Sequence, residues 1–254
     1  QKPELYKAWN RGLQLVEKSK PTVRASNDVL LKVTAGGICG TDVGIYNSKD
    51  SLKQSMSSLT SPDVTIGHEF CGRVADAGPK ARTRLAGLVI TKAKQYSEIN
   101  KFVRGRSAAV LAKDPAFMAY LGKNFLSTAE MHVTCGVCAQ CKLGQFHVCT
   151  KTIIRGLHGD GAFAEYVVLP AENILLFKNG EIPEEIIAFM DAIGNATHTV
   201  QSLSAIKGKI VAVLGIGVIG LMKIPVPPSK PAGTLMRHLM STCHGILCIA
   251  STGV

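Results

Sequence analysis

The chain has 254 residues, of which 46% are hydrophobic and 19% charged, and its formal net charge is +11. This composition excludes an intrinsically disordered chain and is typical of a globular protein with one large domain or two smaller ones. The longest apolar run, 210–222, contains three glycines and is too short to span a bilayer. With no membrane segment and no secretory signal in the sequence, we expect a cytoplasmic protein without a membrane partner.

The positive charge is concentrated in one segment. Residues 80–123 contain ten Lys and Arg against two acids, Glu98 and Asp114, and supply +8 of the +11. Such a run usually forms a solvated face or a disordered loop, and no nucleic-acid-binding motif accompanies it. We therefore predict that nucleic acid is not a partner.

In chain order, the first predicted elements are strands. "DVLLKVTAGGICG" at 28–40 predicts a strand that enters a glycine loop, and "VTIGHEFCGRVADAG" at 64–78 predicts a strand, a turn and a second strand. Residues from about 79 to 126 show no clear periodicity, which predicts a loop. "GAFAEYVVLPAENILLF" at 161–177 resumes the strand pattern, and Pro170 interrupts it.

The last part of the chain predicts a helix and then a glycine-rich turn. Pro183 at the first helical position, acids in the first turn and the apolar spacing of 183–203 predict one helix. The stretch "GKIVAVLGIGVIG" at 208–220 predicts a buried strand that enters a turn. Four prolines within 225–231 exclude a helix there.

Four cysteines, Cys135, Cys138, Cys141 and Cys149, follow the spacing C-x2-C-x2-C-x7-C. Such thiolates can close a tetrahedron around one zinc, and a site without an open position is structural. A ferredoxin-type cluster requires a different last gap and a following proline, whereas Thr150 follows here. Disulfides are the alternative in an extracellular protein, but cytosolic thiols stay reduced. We predict a structural zinc.

Six stretches, in the same order along the chain, resemble the zinc-dependent medium-chain alcohol dehydrogenase family, and most of all its L-threonine 3-dehydrogenase and polyol dehydrogenase branches. They are "GICGTDVGIYN", "IGHEFCGRV", "AEMHVTCGVCAQCKLGQFHVC", "GDGAFAEYVVLPAENI", "MDAIGNATHT" and "VAVLGIGVIG". With flanking strands, the resemblance covers 5–78 and 127–222. It implies an α/β fold with a β-rich N-terminal part, which comprises a GroES-like β-barrel catalytic domain and an incomplete Rossmann domain.

The same resemblance predicts the domain boundaries. Residues 1–182 form the catalytic domain, with a structural-zinc lobe at 130–151 and an atypical insert at 80–126, where the family uses far fewer residues and includes a strand that we do not find. Residues 183–254 form a partial nucleotide-binding domain that departs from the family after about residue 222. We expect a truncated, frameshifted or wrongly spliced product, and a translated intron would explain both departures.

A second, catalytic zinc is also implied by the resemblance, with Cys39, His68 and Glu69 as its ligands. A thiolate, an imidazole and a carboxylate leave one coordination position for a substrate oxygen, where zinc acts as a Lewis acid. Asp191 resembles the family acid beside this zinc, although Ala192 stands where the family usually has proline.

The proton relay of the family is only partly present. Thr41 matches the hydroxyl that relays the alcohol proton, and taken alone it also fits a turn threonine that caps backbone groups. The family relay ends on a histidine three positions later, where this chain has Gly44. Glycine has no side chain to accept a proton. Either water carries the proton away, with slower turnover, or the chain is impaired.

The cofactor motif is Gly215, Gly217 and Gly220, a G-x-G-x-x-G directly after an apolar strand. In that position it predicts binding of the NAD pyrophosphate, whereas in isolation it fits an ordinary glycine turn. The acid expected ~20 residues later to bind the ribose is absent, since no Asp or Glu follows Asp191.

Together these features predict an enzyme, a zinc-dependent and NAD-linked dehydrogenase that oxidises a secondary alcohol, with two zinc ions per chain. L-Threonine is the first expected substrate, and a polyol such as sorbitol or butanediol is the second. The competing prediction is a catalytically inactive zinc-binding fragment, which Gly44 and the missing ribose acid favour. Family members are homo-oligomers through the nucleotide domain, and its incompleteness argues against an oligomer here.

Overall fold

The computed structural model describes residues 12–56, 64–202, 213–214, 217–222 and 248–249. The chain divides into two compact units, Gln1–Phe189 and Met190–Val254. Among the described residues, no helix has the length and apolar character needed to cross a bilayer.

The helices are α1 (Gly40–Tyr46), α2 (Asp50–Met56), α3 (Pro79–Ala93), α4 (Ser97–Val103), α5 (Ala108–Lys113), α6 (Pro115–Asn124), α7 (Ala139–Lys142), α8 (Glu184–Ala188), α9 (Met190–Ser202) and α10 (Val218–Met222). The strands are β1 (Asp28–Gly37), β2 (Glu69–Ala77), β3 (Phe125–Ala129), β4 (His132–Val133), β5 (Ile153–Ile154), β6 (Tyr166–Pro170), β7 (Ile174–Lys178), β8 (Val213–Leu214) and β9 (Cys248–Ile249).

The first unit is built on a five-stranded antiparallel sheet in the order β6-β1-β2-β3-β7. Leu31 of β1 faces Val74 of β2 and Val167 of β6, and its side chain is fully buried. The strands predicted at 28–40 and 161–177 are confirmed, and Pro170 is the last residue of β6. Of the two strands predicted at 64–78, only β2 is present.

β3 is the strand that could not be found from the sequence. All five of its residues are buried. The hydroxyl of Ser127 donates to the carbonyl oxygen of Gly72 at 3.0 Å, and that of Thr128 donates to the carbonyl oxygen of Phe70 at 2.6 Å. Burying a hydroxyl that keeps a hydrogen-bond partner costs little free energy of folding. The Ser-Thr pair therefore fits a buried strand while breaking its apolar pattern.

The loop predicted at about 80–126 is wrong, because 79–124 form four helices, α3 to α6. Pro79 occupies the first turn of α3, where its missing N–H is not needed. Ala81, Leu85 and Val89, spaced four residues apart, are fully buried along one face of α3. Basic residues on the other faces hide this stripe in the sequence, so the charge run is a solvated helical surface.

These helices share the core of the sheet. Leu111 of α5 and Phe117 of α6 are fully buried in one cluster with Val29 and Phe70 of the strands. Burying a side chain of this size is worth about 1.5–3 kcal/mol relative to leaving it exposed. The segment is therefore an integral layer of the first unit.

The single helix predicted at 183–203 is present as two helices. Pro183 is the N-cap of α8, and the helix ends at Ala188, because the φ and ψ of its C-cap Phe189, −108° and 28°, leave helical geometry. α9 then starts the second unit at Met190. In that unit, β8 pairs in parallel with β9, and α9 contacts α10.

Candidate metal centres and active site

The four cysteines of the lobe converge, and none of them is in a disulfide. Cys138 is the N-cap of α7, whose single turn holds Cys141, and Cys149 follows a 3₁₀ turn. One Sγ atom from each cysteine lies within 4.8 Å of the others. The Sγ of Cys149 is 3.6 Å from that of Cys135 and 3.9 Å from that of Cys138.

These distances fit a tetrahedral metal site. Zinc–sulfur bonds of about 2.3 Å place the sulfurs of a tetrahedron about 3.8 Å apart. Backbone N–H groups already point at the sulfurs, since the N–H of Cys138 donates to the Sγ of Cys135 and the N–H of Lys151 donates to the Sγ of Cys149, each at 3.4 Å. The lobe residues therefore fit a zinc without an open position.

The thiol pKa values of the lobe differ, because backbone N–H groups lower those of Cys138 and Cys149 while burial raises that of Cys141 to about 12. Backbone N–H groups of Cys141 and Thr150 lower the pKa of Cys138 to about 5. The N–H groups of Cys135 and Lys151 likewise hold the pKa of Cys149 below its ordinary value. Because the thiolate is the form that binds metal, these amides favour the metal-binding form of Cys138 and Cys149.

A second group of ligand atoms comes from distant parts of the chain. Cys39 is the N-cap of α1, while His68 and Glu69 lie at the start of β2. One donor atom from each of the three lies within 4.8 Å of the other two, and Glu69 is 7% exposed. Zinc bonds of about 2.0–2.3 Å hold such donors about 3.5 Å apart. The three residues predicted as catalytic ligands are thus brought together, and their chemistry fits zinc with an open position.

Glycines fix the backbone that carries the histidine and glutamate. Gly67 has φ +95°, and a Cβ there would lie 2.3 Å from Cδ1 of Phe163. A Cβ on Gly156 or on Gly161 would lie 2.4 or 2.1 Å from the carbonyl oxygen of Gly67. The three backbones therefore cross at a separation that only glycine permits. This crossing positions the turn that enters β2.

A further glycine makes room for one ligand side chain. A Cβ on Gly37, the last residue of β1, would lie 2.6 Å from Oε2 of Glu69 and 3.0 Å from its Cβ. Gly37 pairs with Glu69 across the two strands. Because Gly37 has no side chain, the Glu69 side chain can lie against β1, where its carboxylate is close to Cys39 and His68.

Asp42 is the functional residue that sequence reasoning missed. It is 3% exposed, its Oδ2 accepts the backbone N–H of Cys39 at 2.8 Å, and its Oδ1 lies 3.6 Å from Nδ1 of His68. Oδ1 has no hydrogen-bond partner among the described residues. A carboxylate facing Nδ1 favours a proton there and leaves Nε2 for a metal. The available signal was an acid three residues after Cys39, at the start of a helix.

Asp42 matters because an unsatisfied buried carboxylate oxygen is costly. A metal on His68 would offset that cost, since it makes the imidazole N–H a better donor to the carboxylate. Cys39 is prepared as well, because a hydrogen bond with His68 holds the pKa of its thiol below the ordinary value. Both observations support a metal at this group.

The relay positions lie on α1. The Sγ of Cys39 is 3.8 Å from the hydroxyl oxygen of Thr41, which places that hydroxyl beside the ligands. Gly44 is buried, and a Cβ on it would lie 2.7 Å from Cδ1 of Leu52. Hydrocarbon therefore occupies the space that a side chain at position 44 would need.

The remaining predicted residues belong to the second unit. Asp191 lies in the first turn of α9, and its Oδ2 accepts the side-chain amide of Asn195 at 3.1 Å. Gly217 directly precedes α10, has open space around its Cα, and Gly220 lies within that helix. Gly215 lies outside the described residues. β8, Gly217 and α10 follow in the order of a dinucleotide site, which fits a pyrophosphate, while the sequence has no acid after Asp191 for the ribose.

Known proteins were compared with the chain. Residues 25–122 and 121–179 match the family profile for the alcohol dehydrogenase GroES-like domain. L-Threonine 3-dehydrogenase of Caldanaerobacter subterraneus subsp. tengcongensis is 34% identical over 215 residues, which are 85% of this chain and 49% of that protein. L-Threonine 3-dehydrogenase of Anaeromyxobacter sp. (strain K) is 36% identical over 216 residues, with the same two coverages. The chain spans about half the length of the curated relatives it matches.

Solved structures agree on the fold. A zinc-binding dehydrogenase from Sinorhizobium meliloti, solved with NADP, has a TM-score of 0.59 and 26% identity over 97% of this chain and 60% of that one. Galactitol-1-phosphate dehydrogenase from Escherichia coli has a TM-score of 0.58 at 18% identity, over 96% of this chain and 66% of that one. The chain belongs to the zinc-dependent medium-chain alcohol dehydrogenase family. The predicted family and fold class are confirmed.

Proposed function

We propose that this protein acts in the zinc-dependent, NAD-linked oxidation of a secondary alcohol. The observation that carries the proposal is the convergence of Cys39, His68 and Glu69 within 4.8 Å of one another. The L-threonine 3-dehydrogenases at 34% and 36% identity support the same chemistry. In this proposal the three residues hold the catalytic zinc, and the four lobe cysteines hold a structural zinc.

The cofactors supply the reactive chemistry. Bound zinc would provide a Lewis acid that makes an alcohol more acidic, and NAD would provide the hydride acceptor. Gly215, Gly217 and Gly220 would form the turn that approaches the cofactor pyrophosphate. Asp191 would help to orient or exchange the ligands of the catalytic zinc. The NADP-bound relative is consistent with a nicotinamide cofactor in this family.

The residues of this chain orient the reactants and move the proton. Asp42 holds the backbone of Cys39 and faces His68, so it fixes two ligands at once. The Thr41 hydroxyl, 3.8 Å from the Cys39 sulfur, can accept the alcohol proton as it donates its own. Gly44 cannot take that proton further, so we assign the next step to water.

L-Threonine is the substrate that we propose first, because it is the named substrate of the curated relatives. A polyol comes second, and the fold-level likeness to galactitol-1-phosphate dehydrogenase is consistent with an alcohol that carries several hydroxyls. We propose the cytoplasm as the compartment, since reduced thiols suit cysteines that act as metal ligands. The division into 1–182 and 183–254 also remains our proposal.

The second candidate is an inactive zinc-binding domain. It is favoured by Leu52, whose Cδ1 fills the space beside Gly44, and by the absence of any acid after Asp191. In this case the lobe cysteines would still bind zinc, while no alcohol would be oxidised.

Enzyme assays of the full chain separate the two candidates. We expect zinc-loaded protein to form NADH, read by absorbance, with L-threonine more efficiently than with sorbitol or butanediol. Cys39→Ala should abolish the signal, and Lys142→Ser, at an exposed position in the lobe, should leave it unchanged. A zinc-loaded chain that forms no NADH with any of these substrates would establish the inactive domain.

A further inference from the structure

The four-helix segment of the first unit contains a cavity that the proposed function does not use. It is a depression largely open to solvent, has a volume of about 610 Å³, and lies between the end of α3, α4 and the turn before α5. Cavities of this size commonly take small molecules. Its lining residues are Ile90, Ala93, Lys94, Asn100, Val103, Arg104, Gly105, Arg106 and Ser107.

The lining carries three cations, Lys94, Arg104 and Arg106, and within the described ranges only the last has an acid beside it. Lys94 and Arg104 are exposed at the cavity, and among the described residues neither side chain has an ion pair or a hydrogen bond. Of the two acids of the segment, Glu98 pairs with Lys178 at 2.8 Å and Asp114 pairs with Arg106 at 2.6 Å, so neither neutralises Lys94 or Arg104. Two cations therefore face the cavity with their charge available.

A third cation forms a rigid wall. The guanidinium of Arg106 donates to the carbonyl oxygen of Phe102, pairs with Asp114, and lies 4.6 Å from the centre of the Phe102 ring. That ring stacks on Tyr120 with centroids 3.6 Å apart. Since Asp114 balances the charge of Arg106, this stack shapes the wall of the cavity. Lys94 and Arg104, which have no ion pair in the described part of the chain, would attract an anion.

The cavity also offers neutral donors and an apolar floor. Gly105, with φ +70° and open space at its Cα, allows the tight turn that brings Arg104 beside Ser107. The side chains of Asn100 and Ser107 can donate hydrogen bonds. The apolar floor consists of Ile90, which is partly buried, and of the buried Ala93 and Val103. Charge-assisted bonds to phosphate oxygens are the strongest bonds that such a set can make.

We propose that this cavity binds a small molecule that carries a phosphate group on an apolar or aromatic body. Lys94 and Arg104 neutralise the phosphate, and the apolar floor, chiefly the partly buried Ile90, receives the body. Free phosphate shares the anionic chemistry but leaves the apolar floor uncovered. The site lies apart from the ligands of both metal centres in sequence, and it does not depend on the proposed function.

Calorimetric titration of the full chain at 0.15 M ionic strength tests the proposal, with phenyl phosphate and inorganic phosphate as probes. We expect phenyl phosphate to bind at least about tenfold more tightly, because only it covers the floor. The variant Lys94→Gln/Arg104→Gln should weaken phenyl phosphate binding by about tenfold or more, through two lost charge-assisted bonds.

The matched control is Lys80→Gln/Lys123→Gln, which removes the same charge from exposed positions of the same segment. It should leave the affinity within about twofold, since neither lysine lines the cavity and exposed charges are screened by salt. NMR shifts on binding should centre on the amides of Gly105 and Ser107. Equal weakening by the two variants, no binding of phenyl phosphate below about 10 mM, or tighter binding of a DNA duplex would each overturn the proposal.

Discussion

The two groups of metal ligands are assembled in different ways. The four lobe cysteines lie within fifteen consecutive residues, from Cys135 to Cys149, and local amides orient their sulfurs. Cys39 and His68 come from two separate segments, and a crossing of three glycine backbones holds the second segment in place. The first group depends on local spacing, whereas the second depends on the tertiary fold. Damage to the fold should therefore affect the second group and spare the first.

The largest expected effect comes from opening the lobe. Cys138→Ser removes one of the four thiolates. Backbone N–H groups lower the pKa of this thiol to about 5. We expect loss of one zinc per chain and a fall in the free energy of unfolding of about 3 kcal/mol or more, because binding to a structural site contributes folding energy. Metal analysis and thermal unfolding measure both. Lys142→Ser, in the same turn and exposed, is the control. Undiminished zinc in Cys138→Ser would refute the closed site.

The next largest effect is expected from a substitution at the crossing of the three glycine backbones. In Gly161→Ala the new Cβ would lie 2.1 Å from the carbonyl oxygen of Gly67, so the backbones must separate. We expect a loss of about 2–3 kcal/mol in denaturant unfolding and weaker zinc binding at Cys39, His68 and Glu69. Gly87→Ala, within α3 and with open space around it, should instead stabilise by about 0.5–1 kcal/mol. Wild-type stability in Gly161→Ala would contradict the crossing.

Asp42 allows a finer test of the second group. Asp42→Asn keeps one acceptor for the N–H of Cys39 but removes the charge that faces His68. Chelator competition should show about 10–100-fold weaker zinc binding at this group, with the lobe zinc unaffected. Asp50→Asn, at an exposed position of α2, should bind zinc as the wild type does. If the two variants bind zinc equally well, Asp42 does not position His68.

The smallest effect concerns the attachment of α3 to the sheet. Burial would raise the pKa of Glu181, but its pair with Lys92 at 2.7 Å and the N–H of Lys178 outweigh that and hold the pKa below its ordinary value. Lys92→Met should cost about 0.5–1 kcal/mol at pH 7. A lowered folded pKa means that this stabilisation is complete above the unfolded value, about 4.3, and is lost as Glu181 becomes protonated.

Denaturant unfolding at several pH values measures that trend. The difference between wild type and Lys92→Met should shrink as the pH falls below about 4.3. Lys101→Met removes an exposed lysine without an ion pair among the described residues, and it should show no such trend. A difference that grows on acidification would contradict the assigned pair.

Local patterns were enough to predict part of this molecule. The strand β1 and the convergence of the four lobe sulfurs could be predicted because each depends on neighbours along the chain. The stripe of α3 was missed because basic residues separate its small apolar ones, and β3 was missed because its two hydroxyls find acceptors only in another strand. Asp42 could not be assigned for the same reason, since its partner His68 is remote in sequence.

The zinc content of the purified full chain tests the central claim most directly. Mass spectrometry under native conditions should show two zinc ions per chain, and one in the variant Cys39→Ala/His68→Ala. A folded wild-type chain that holds a single zinc, with the same count in the double variant, would contradict the second metal centre.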